Sequence, residues 1–266
     1  MDLDDFGCGL DLMEAQRAES TQQSPRTEWM RRSALGIACS ELPAVWLALG
    51  LADEEERRRA VRYVRAQRDA LFAQKANPAL LEPPSRHVET GRIREPRLFE
   101  RWAERLRHDK ERLSETERRI DHHTVFSLEA HPAVLRLLPL VDWEERRLID
   151  SVDGVALTWD NDLVVVQAKC LRGTVGDLTG ASDDELPWYW RLSMQGELAV
   201  TGASFGVVLV GEGWAGTNVD YDSLPLRGFS VPRDEHQIAR IRAAVRDGWA
   251  EIERLVGQDR VRRAHD

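Results

Sequence analysis

The chain has 266 residues, of which 42% are hydrophobic and 31% are charged, as expected for a globular protein with one sizeable core. No apolar run approaches the roughly 20 residues that span a bilayer, and the N-terminus lacks a basic-then-apolar signal, so we expect a cytoplasmic protein that does not bind membranes. Three widely separated cysteines argue against a disulfide framework, a structural zinc site and a four-cysteine iron–sulfur cluster.

The formal net charge of −9 is unfavourable for a nucleic-acid partner, because binding to phosphates depends on Lys and Arg. The distribution of charge matters more than the total. A protein can concentrate its cations along one path, while a cluster of metal-binding acids adds to the negative count. The composition therefore leaves a nucleic-acid partner open.

The composition along the chain predicts three parts. Residues 1–28 are polar and form a partly ordered arm, residues 29–258 form one domain, and residues 259–266 form a tail. Within the domain, a helical elaboration is expected near residues 53–120, where charged residues are frequent.

Helices dominate the predicted first half of the domain. They cover residues 40–51, 53–71 and 94–107, and residues 108–119 are expected to be helical as well. Ser40 is the expected N-cap of the first helix, and four successive acids at the start of the second complement its dipole.

His122 and His123 suggest a metal site, but adjacent side chains point to different sides of a helix or strand. No second group of ligands lies at a suitable spacing in the sequence. The favoured interpretation is an exposed or packed pair that leads into a strand over residues 124–128.

The second half of the domain predicts strands near residues 147–151, 155–159, 163–169 and 205–210, with helices over residues 187–200 and 234–256. The stretch from Gly173 to Glu185 is rich in Gly, Asp and Ser and is predicted to be a mobile loop. The alternation of helices and strands predicts an α/β fold.

Residues 151–170 are predicted to form a β-hairpin. The second strand, residues 163–168, is a run of apolar, mainly β-branched side chains after a turn at residues 160–162, which is typical of a buried central strand. Lys169 at its end either has a function or extends its ammonium group into solvent, and the segment alone leaves both interpretations open.

The hairpin is predicted to bring an acid, an amide and a lysine together. Side chains alternate along a strand, so Gln167 and Lys169 share one face, and Asp153 on the partner strand lies alongside them. Carboxylate and amide oxygens suit a hard divalent cation, and a lysine can orient or deprotonate water and stabilise charge on a phosphate.

Four short motifs follow one another along the chain. They are Arg31-Arg32 followed by Gly36 and Ser40-Glu41, then Gly91-x-x-x-Glu95, then Asp153 with Gln167-x-Lys169, and finally Gln195 in a helix that ends in Ala-Val-Thr-Gly. In these motifs the chain resembles the YqaJ-type viral recombinases, the family of the phage lambda-type alkaline exonuclease within the PD-(D/E)xK superfamily. The resemblance covers about residues 29–210. It implies a restriction-endonuclease-like α/β core, with a central mixed sheet flanked by helices.

The resemblance also implies an Mg²⁺-dependent deoxyribonuclease, with Mn²⁺ as a plausible substitute. Asp153 and Glu95 would bind the metal together with the amide oxygen of Gln167 and the backbone carbonyl of Ala168. Lys169 would position or activate the attacking water. Gln167 stands where the family usually has a carboxylate, which predicts weaker binding of the cation.

Double-stranded DNA is the implied substrate. Arg31 or Arg32 and Ser40 would hold a terminal or downstream phosphate, and Gln195 would contact the substrate or support the site. The alternatives are an ordinary surface pair of arginines and a buried amide that ties its helix to the sheet. Relatives form rings around DNA and act with a strand-annealing recombinase, so a homotrimer and such a partner are implied as well.

The favoured function is a 5′-to-3′ exonuclease on duplex DNA in phage-type recombination. Three alternatives remain: a restriction or defence endonuclease, a catalytically decayed DNA-binding homologue, and an unrelated α/β domain in which the motifs are coincidental. The presence of Asp153, Lys169 and Glu95 argues against decay, because charged residues inside a sheet are costly unless they are used.

Overall fold

The structure, a computed structural model, describes residues 36–77, 86–127, 140–150, 152–171, 186–212 and 225–265. It confirms the predicted α/β class with mixed sheets and flanking helices. The helices are α1 (Leu42–Ala48), α2 (Glu54–Arg59), α3 (Arg62–Ala76), α4 (Arg86–His108), α5 (Glu115–Arg118), α6 (Trp188–Thr201) and α7 (Glu235–His265). The strands are β1 (Ile37–Ala38), β2 (Phe126–Ser127), β3 (Leu140–Val141), β4 (Leu148–Asp150), β5 (Gly154–Leu157), β6 (Leu163–Leu171), β7 (Phe205–Glu212) and β8 (Leu226–Pro232).

A five-stranded sheet with the order β2-β5-β6-β7-β8 forms the centre of the fold. Strands β6 and β7 run parallel, and every other neighbouring pair is antiparallel. Val164, Val165 and Val166 in the middle of β6 are fully buried. A strand that is covered on both faces needs apolar side chains on both, which explains its continuous valine run.

Each face of the sheet packs against its own set of helices, because successive side chains of β6 point in opposite directions. Val165 belongs to the hydrophobic core formed with α1, α6 and α7. Val164, Val166 and Ala168 belong to the core formed with α4. Gln167 alternates with Ala168 and therefore lies on the face that α6 covers.

A smaller three-stranded sheet, β1-β4-β3, is attached to α7 by a buried ion pair. Arg242 donates to both carboxylate oxygens of Asp142, at 3.1 and 2.8 Å. The same carboxylate accepts the backbone N–H groups of Glu144 and Glu145. This bidentate pair fixes the turn before β4, the strand that leads into the predicted hairpin.

Several helix boundaries differ from the sequence predictions. Ser40 is not the N-cap of α1, because it lies inside a 3₁₀ turn at Cys39–Glu41 and Glu41 takes the cap position. The predicted second helix is divided into α2 and α3 by extended backbone at Ala60. Helix α7 continues nine residues beyond its predicted end at Val256, since the Arg and Ala residues that follow favour helix and one glycine there is tolerated.

One predicted helix is shorter than expected, and other predicted features fall outside the described residues. Only short helical turns form over residues 108–119. Arg31, Arg32 and the predicted loop from Gly173 to Glu185 lie outside the residues that the structure describes. Within the described residues, no helix is both long and apolar enough to cross a membrane.

Only three of the 37 basic residues are lysines, and one of them is buried. The ammonium group of Lys75 on α3 donates to the carbonyl oxygen of Gly36 at 2.9 Å and lies 2.8 Å from Oε2 of Glu41. These contacts hold the segment that enters α1 against α3. Removing one partner of a buried pair leaves the other charge uncompensated.

We therefore expect Lys75→Met to lower the free energy of unfolding by about 3 kcal/mol in urea denaturation. Lys110→Met, which removes an exposed lysine, is the matched control and should change it by less than about 0.5 kcal/mol. Equal losses in the two variants would show that the Lys75 contacts do not stabilise the fold.

Candidate active site

The predicted hairpin is formed by β5 and β6. Gly154 lies opposite Val166, so continuing the register places Asp153 beside Gln167. Asn161 in the connecting turn has a φ of 67°, a left-handed conformation that asparagine adopts more readily than most residues. Asn161 therefore suits the tight turn that the sequence predicts at residues 160–162.

Asp153 and Lys169 meet at the end of this hairpin. Oδ2 of Asp153 accepts the backbone N–H of Ala168 at 2.8 Å and lies 3.9 Å from Nζ of Lys169. About a quarter of each charged side chain is exposed, 24% for Asp153 and 29% for Lys169. The pair is therefore preorganised by the sheet but can be reached from solvent.

Gln167 lies deeper than this pair, with only 3% of its surface exposed. Its Nε2 donates a hydrogen bond to Oε1 of Glu197 on α6. A carboxyl oxygen accepts hydrogen bonds, so the NH₂ end of the amide faces it and the amide oxygen points away. Among the described residues nothing donates to Oε1 of Gln167, which leaves this oxygen available to a ligand.

Glu197 and Asp150 are acids of this region that the sequence prediction missed. Both are buried, and among the described residues Oε2 of Glu197 has no hydrogen-bond donor. Burial raises the pKa of the Glu197 carboxyl well above its ordinary value, as do the charges of Asp150 and Asp153, while Lys169 acts in the opposite direction. The sequence did hold one signal, because Glu197 is the only charged residue between Leu192 and Gly202.

The side-chain oxygens in this region are of the kind that binds a hard divalent cation. Carboxylate and amide oxygens are the ligands that Mg²⁺ takes from proteins, and Asp153, Gln167 and Glu197 offer such oxygens in this region. Two of these oxygens, on Gln167 and Glu197, are buried without a hydrogen-bond donor in the described part of the chain. Such atoms are costly unless a ligand satisfies them.

Glu95 lies on α4, on the opposite face of the sheet from α6, and is half-buried. One turn later on the same helix, Phe99 packs so closely on Gly154 that a Cβ at this glycine would lie 2.2 Å from the ring. Residues four apart share a face of a helix. Glu95 is therefore on the face of α4 that approaches the strand next to Asp153.

The structure gives Ser40 and Gln195 no direct contact with Asp153, Gln167 or Lys169 among the described hydrogen bonds. Ser40 is exposed in its 3₁₀ turn. Gln195 is buried, and its amide donates to the carbonyl of Pro232 at 2.7 Å and accepts from the N–H of Asp234 at 2.9 Å. This geometry favours the alternative in which Gln195 ties its helix to the sheet. The backbone carbonyl of Ala168 stays a predicted ligand.

The ligand atoms of Asp121, His122 and His123 lie within 4.8 Å of one another. Asp121 is an addition to the pair of histidines that the sequence suggests. Its carboxylate already accepts the N–H of His123 at 2.9 Å and so caps the short turn that holds both histidines. A capped surface turn accounts for the cluster without a metal.

Comparison with solved structures identifies the fold. The chain matches the crystal structure of an alkaline exonuclease (LHK-Exo) from Laribacter hongkongensis with a TM-score of 0.59 and 14% identity, over 90% of this chain and 98% of that one. The crystal structure of LHK-Exo in complex with dAMP matches equally well, with 16% identity over the same shares of both chains. A phage-related exonuclease from Haemophilus somnus 129PT matches with a TM-score of 0.50 and 11% identity, over 84% of this chain and 96% of that one.

These likenesses confirm that the chain has the fold that the resemblance to lambda-type alkaline exonucleases implies. No protein-family model matches the chain, and no curated protein matches it. At such low identity the common fold does not establish the reaction, which has to be argued from the site.

Helix α6, which carries Glu197, approaches the start of α1 through Gly196. A Cβ at this position would lie 2.5 Å from Cδ1 of Leu42 and 2.8 Å from Sγ of Cys39. Overpacking of this kind forces side chains and backbone to move. The missing Cβ therefore helps to set the position of the Glu197 carboxylate.

We expect Gly196→Ala to lower the free energy of unfolding by about 1–3 kcal/mol, measured by urea denaturation. The loss should be smaller when Leu42→Ala is also present, since the substitution removes one of the obstructing atoms. Gly257→Ala is the control, because this helical glycine has no atom within 4 Å of the added Cβ. Its stability should be unchanged or slightly increased, and an equal loss at both glycines would contradict the packing argument.

Proposed function

We propose that the protein is a metal-dependent DNA phosphodiesterase that acts as an exonuclease on duplex DNA. The observation that carries the proposal is the partly exposed Asp153–Lys169 pair, held by the hairpin beside the buried oxygens of Gln167 and Glu197. Metal-assisted hydrolysis of a phosphodiester needs an acid, a lysine and oxygen atoms that are available as metal ligands, and all three occur at this end of the sheet. The fold shared with the exonucleases from Laribacter and Haemophilus supports the same class of reaction.

Asp153, Glu95, the amide oxygen of Gln167 and the carbonyl of Ala168 are the residues that would hold Mg²⁺. When bound, the cation would offset charge on the scissile phosphate and acidify a water molecule. The N–H of Ala168 fixes one oxygen of the Asp153 carboxylate. Lys169 lies on the same face of β6 as Gln167, where its ammonium group can donate to the attacking water or to a phosphate oxygen.

The proposed substrate is a linear duplex, degraded from its 5′ end. The complex of LHK-Exo with dAMP is consistent with a site in this fold that accepts a nucleotide. Arg31 or Arg32 and the exposed hydroxyl of Ser40 would hold the terminal phosphate. A trimeric ring, a strand-annealing partner and a cytoplasmic location belong to the same proposal.

Asp153→Asn and Lys169→Met should each slow degradation of a linear duplex on the order of 10²-fold or more in the presence of Mg²⁺. The first removes a carboxylate from the cation, and the second removes the donor to water and phosphate. Circular dichroism would verify the fold of each variant, Lys110→Met would serve as the matched lysine control, and EDTA should stop the wild type. A folded Lys169→Met protein that cuts at the wild-type rate would contradict the mechanism.

A 5′-phosphorylated linear duplex should be degraded faster than the same duplex with a 5′-hydroxyl end, because a guanidinium group loses its charged partner in the latter. Arg31→Gln or Arg32→Gln should remove the preference and leave slow cleavage. The initial rates on the two substrates and on a closed-circular duplex measure this directly. Equal rates on both ends, or efficient cutting of the circle, would favour an endonuclease instead.

A further inference from the structure

Glu197 and Gln167 form a buried polar pair between a helix and the central strand. Their exposed fractions are 4% and 3%, and the amide of Gln167 donates to one oxygen of Glu197. The neighbours of Glu197 on α6, Met194, Leu198 and Ala199, are buried and apolar. An apolar residue at position 197 would suit this environment better, so the acid needs an explanation beyond packing.

The hydrogen bond between the two side chains satisfies only half of the pair. In the described part of the chain, no group donates to Oε1 of Gln167 or to Oε2 of Glu197. A buried polar network that is only partly satisfied is less favourable than an apolar contact. A cation that both oxygens contact would complete the network, whereas a purely structural pair would not.

The charges around this pair also favour a cation. Asp150 and Asp153 both act on Glu197 by repulsion, and Lys169 is the one attractive charge among the principal influences on it. Lys169 is shared with Asp153, from which it is 3.9 Å away. A divalent cation at the free oxygens of Gln167 and Glu197 would offset the repulsion that Asp150 and Asp153 exert on this carboxyl group.

We propose that Glu197 supplies the carboxylate ligand that strand β6 lacks at Gln167, so that the acid reaches the metal site from helix α6. The inference rests on the proposed function only in taking the site to be a metal site. It gives Gln167 a second role, as a positioning residue whose NH₂ group holds the Glu197 carboxylate in place. A glutamate at position 167 would instead set two carboxylates against each other.

Binding of Mn²⁺ in the absence of DNA, measured by isothermal titration calorimetry, tests the inference without relying on activity. Glu197→Gln should weaken Mn²⁺ binding by about tenfold or more. The exchange variant Gln167→Glu/Glu197→Gln should recover most of the lost affinity, because it returns the acid to the strand and keeps one amide in the pair. Glu54→Gln, the same change on an exposed side chain of α2, should bind Mn²⁺ as the wild type does.

A folded Glu197→Gln protein with wild-type Mn²⁺ affinity would overturn the inference. An exchange variant that binds Mn²⁺ no better than Glu197→Gln would also overturn the inference. If the carboxylate of Glu197 only stabilised the fold, moving it to position 167 would not restore binding of the metal. If Glu197→Gln alone is too unstable to measure, the exchange variant is compared with the wild type, and an affinity about tenfold or more below that of the wild type would overturn the inference.

The nuclease proposal can fail separately. A wild type that binds Mn²⁺ through Glu197 but leaves linear and circular duplexes intact would overturn the proposed reaction and support the ligand. A wild type that degrades DNA, with unaltered Mn²⁺ binding in Glu197→Gln, would overturn the ligand and leave the reaction standing.

Discussion

Strand β6 lies at the centre of the main sheet and is covered by helices on both faces. Every polar side chain on it must therefore be satisfied by the protein or by a ligand, since water is excluded. On the face toward α4 the strand meets this requirement with Val164, Val166 and Ala168. On the other face it carries Gln167 and, at its more open end, Lys169. The geometry of the whole candidate site follows from how these two side chains are accommodated.

Two glycines set the distances at which helices approach the site. Gly154 lets the ring of Phe99 on α4 pack directly on β5, next to Asp153. Gly196 lets α6 pack on Cys39 and on the first turn of α1. The two contacts lie on opposite faces of the sheet. At each of them the backbone packs so closely on its neighbour that a single added methyl group would disturb the packing around the site.

The sequence predicted the hairpin because the information was local. Alternation along β6 and the short turn at its start are sufficient to place Asp153 beside Lys169. Glu197 is 30 residues from Gln167, and its position depends on the rotation of α6 about its axis and on the depth of its packing. Neither quantity can be derived from a short motif. Its isolated charge in an otherwise uncharged stretch could have identified it as unusual, but not what it contacts.

Gln195 and Ser40 show that a motif alone does not determine what a side chain contacts. Both belong to motifs, and the motif alone suggests a contact with substrate. The structure engages both ends of the Gln195 amide with backbone groups near the end of β8. Ser40 is exposed, and it is the neighbouring Glu41 whose side chain contacts the backbone before α1, accepting the N–H of Ala38 and lying 2.8 Å from Nζ of Lys75. Competition from a neighbouring side chain is not visible in a pattern of residue types.

The scarcity of lysine has a practical consequence for labelling the protein. Lys75 is 1% exposed and engaged with Glu41, Lys110 is on the surface, and Lys169 is 29% exposed at the candidate site. An amine-reactive reagent should therefore modify only two side chains of the folded protein. In a Lys110→Arg background, Lys169 becomes the single accessible ε-amine, so a fluorophore or crosslinker can be directed to the site without introducing a cysteine once the α-amino group is blocked.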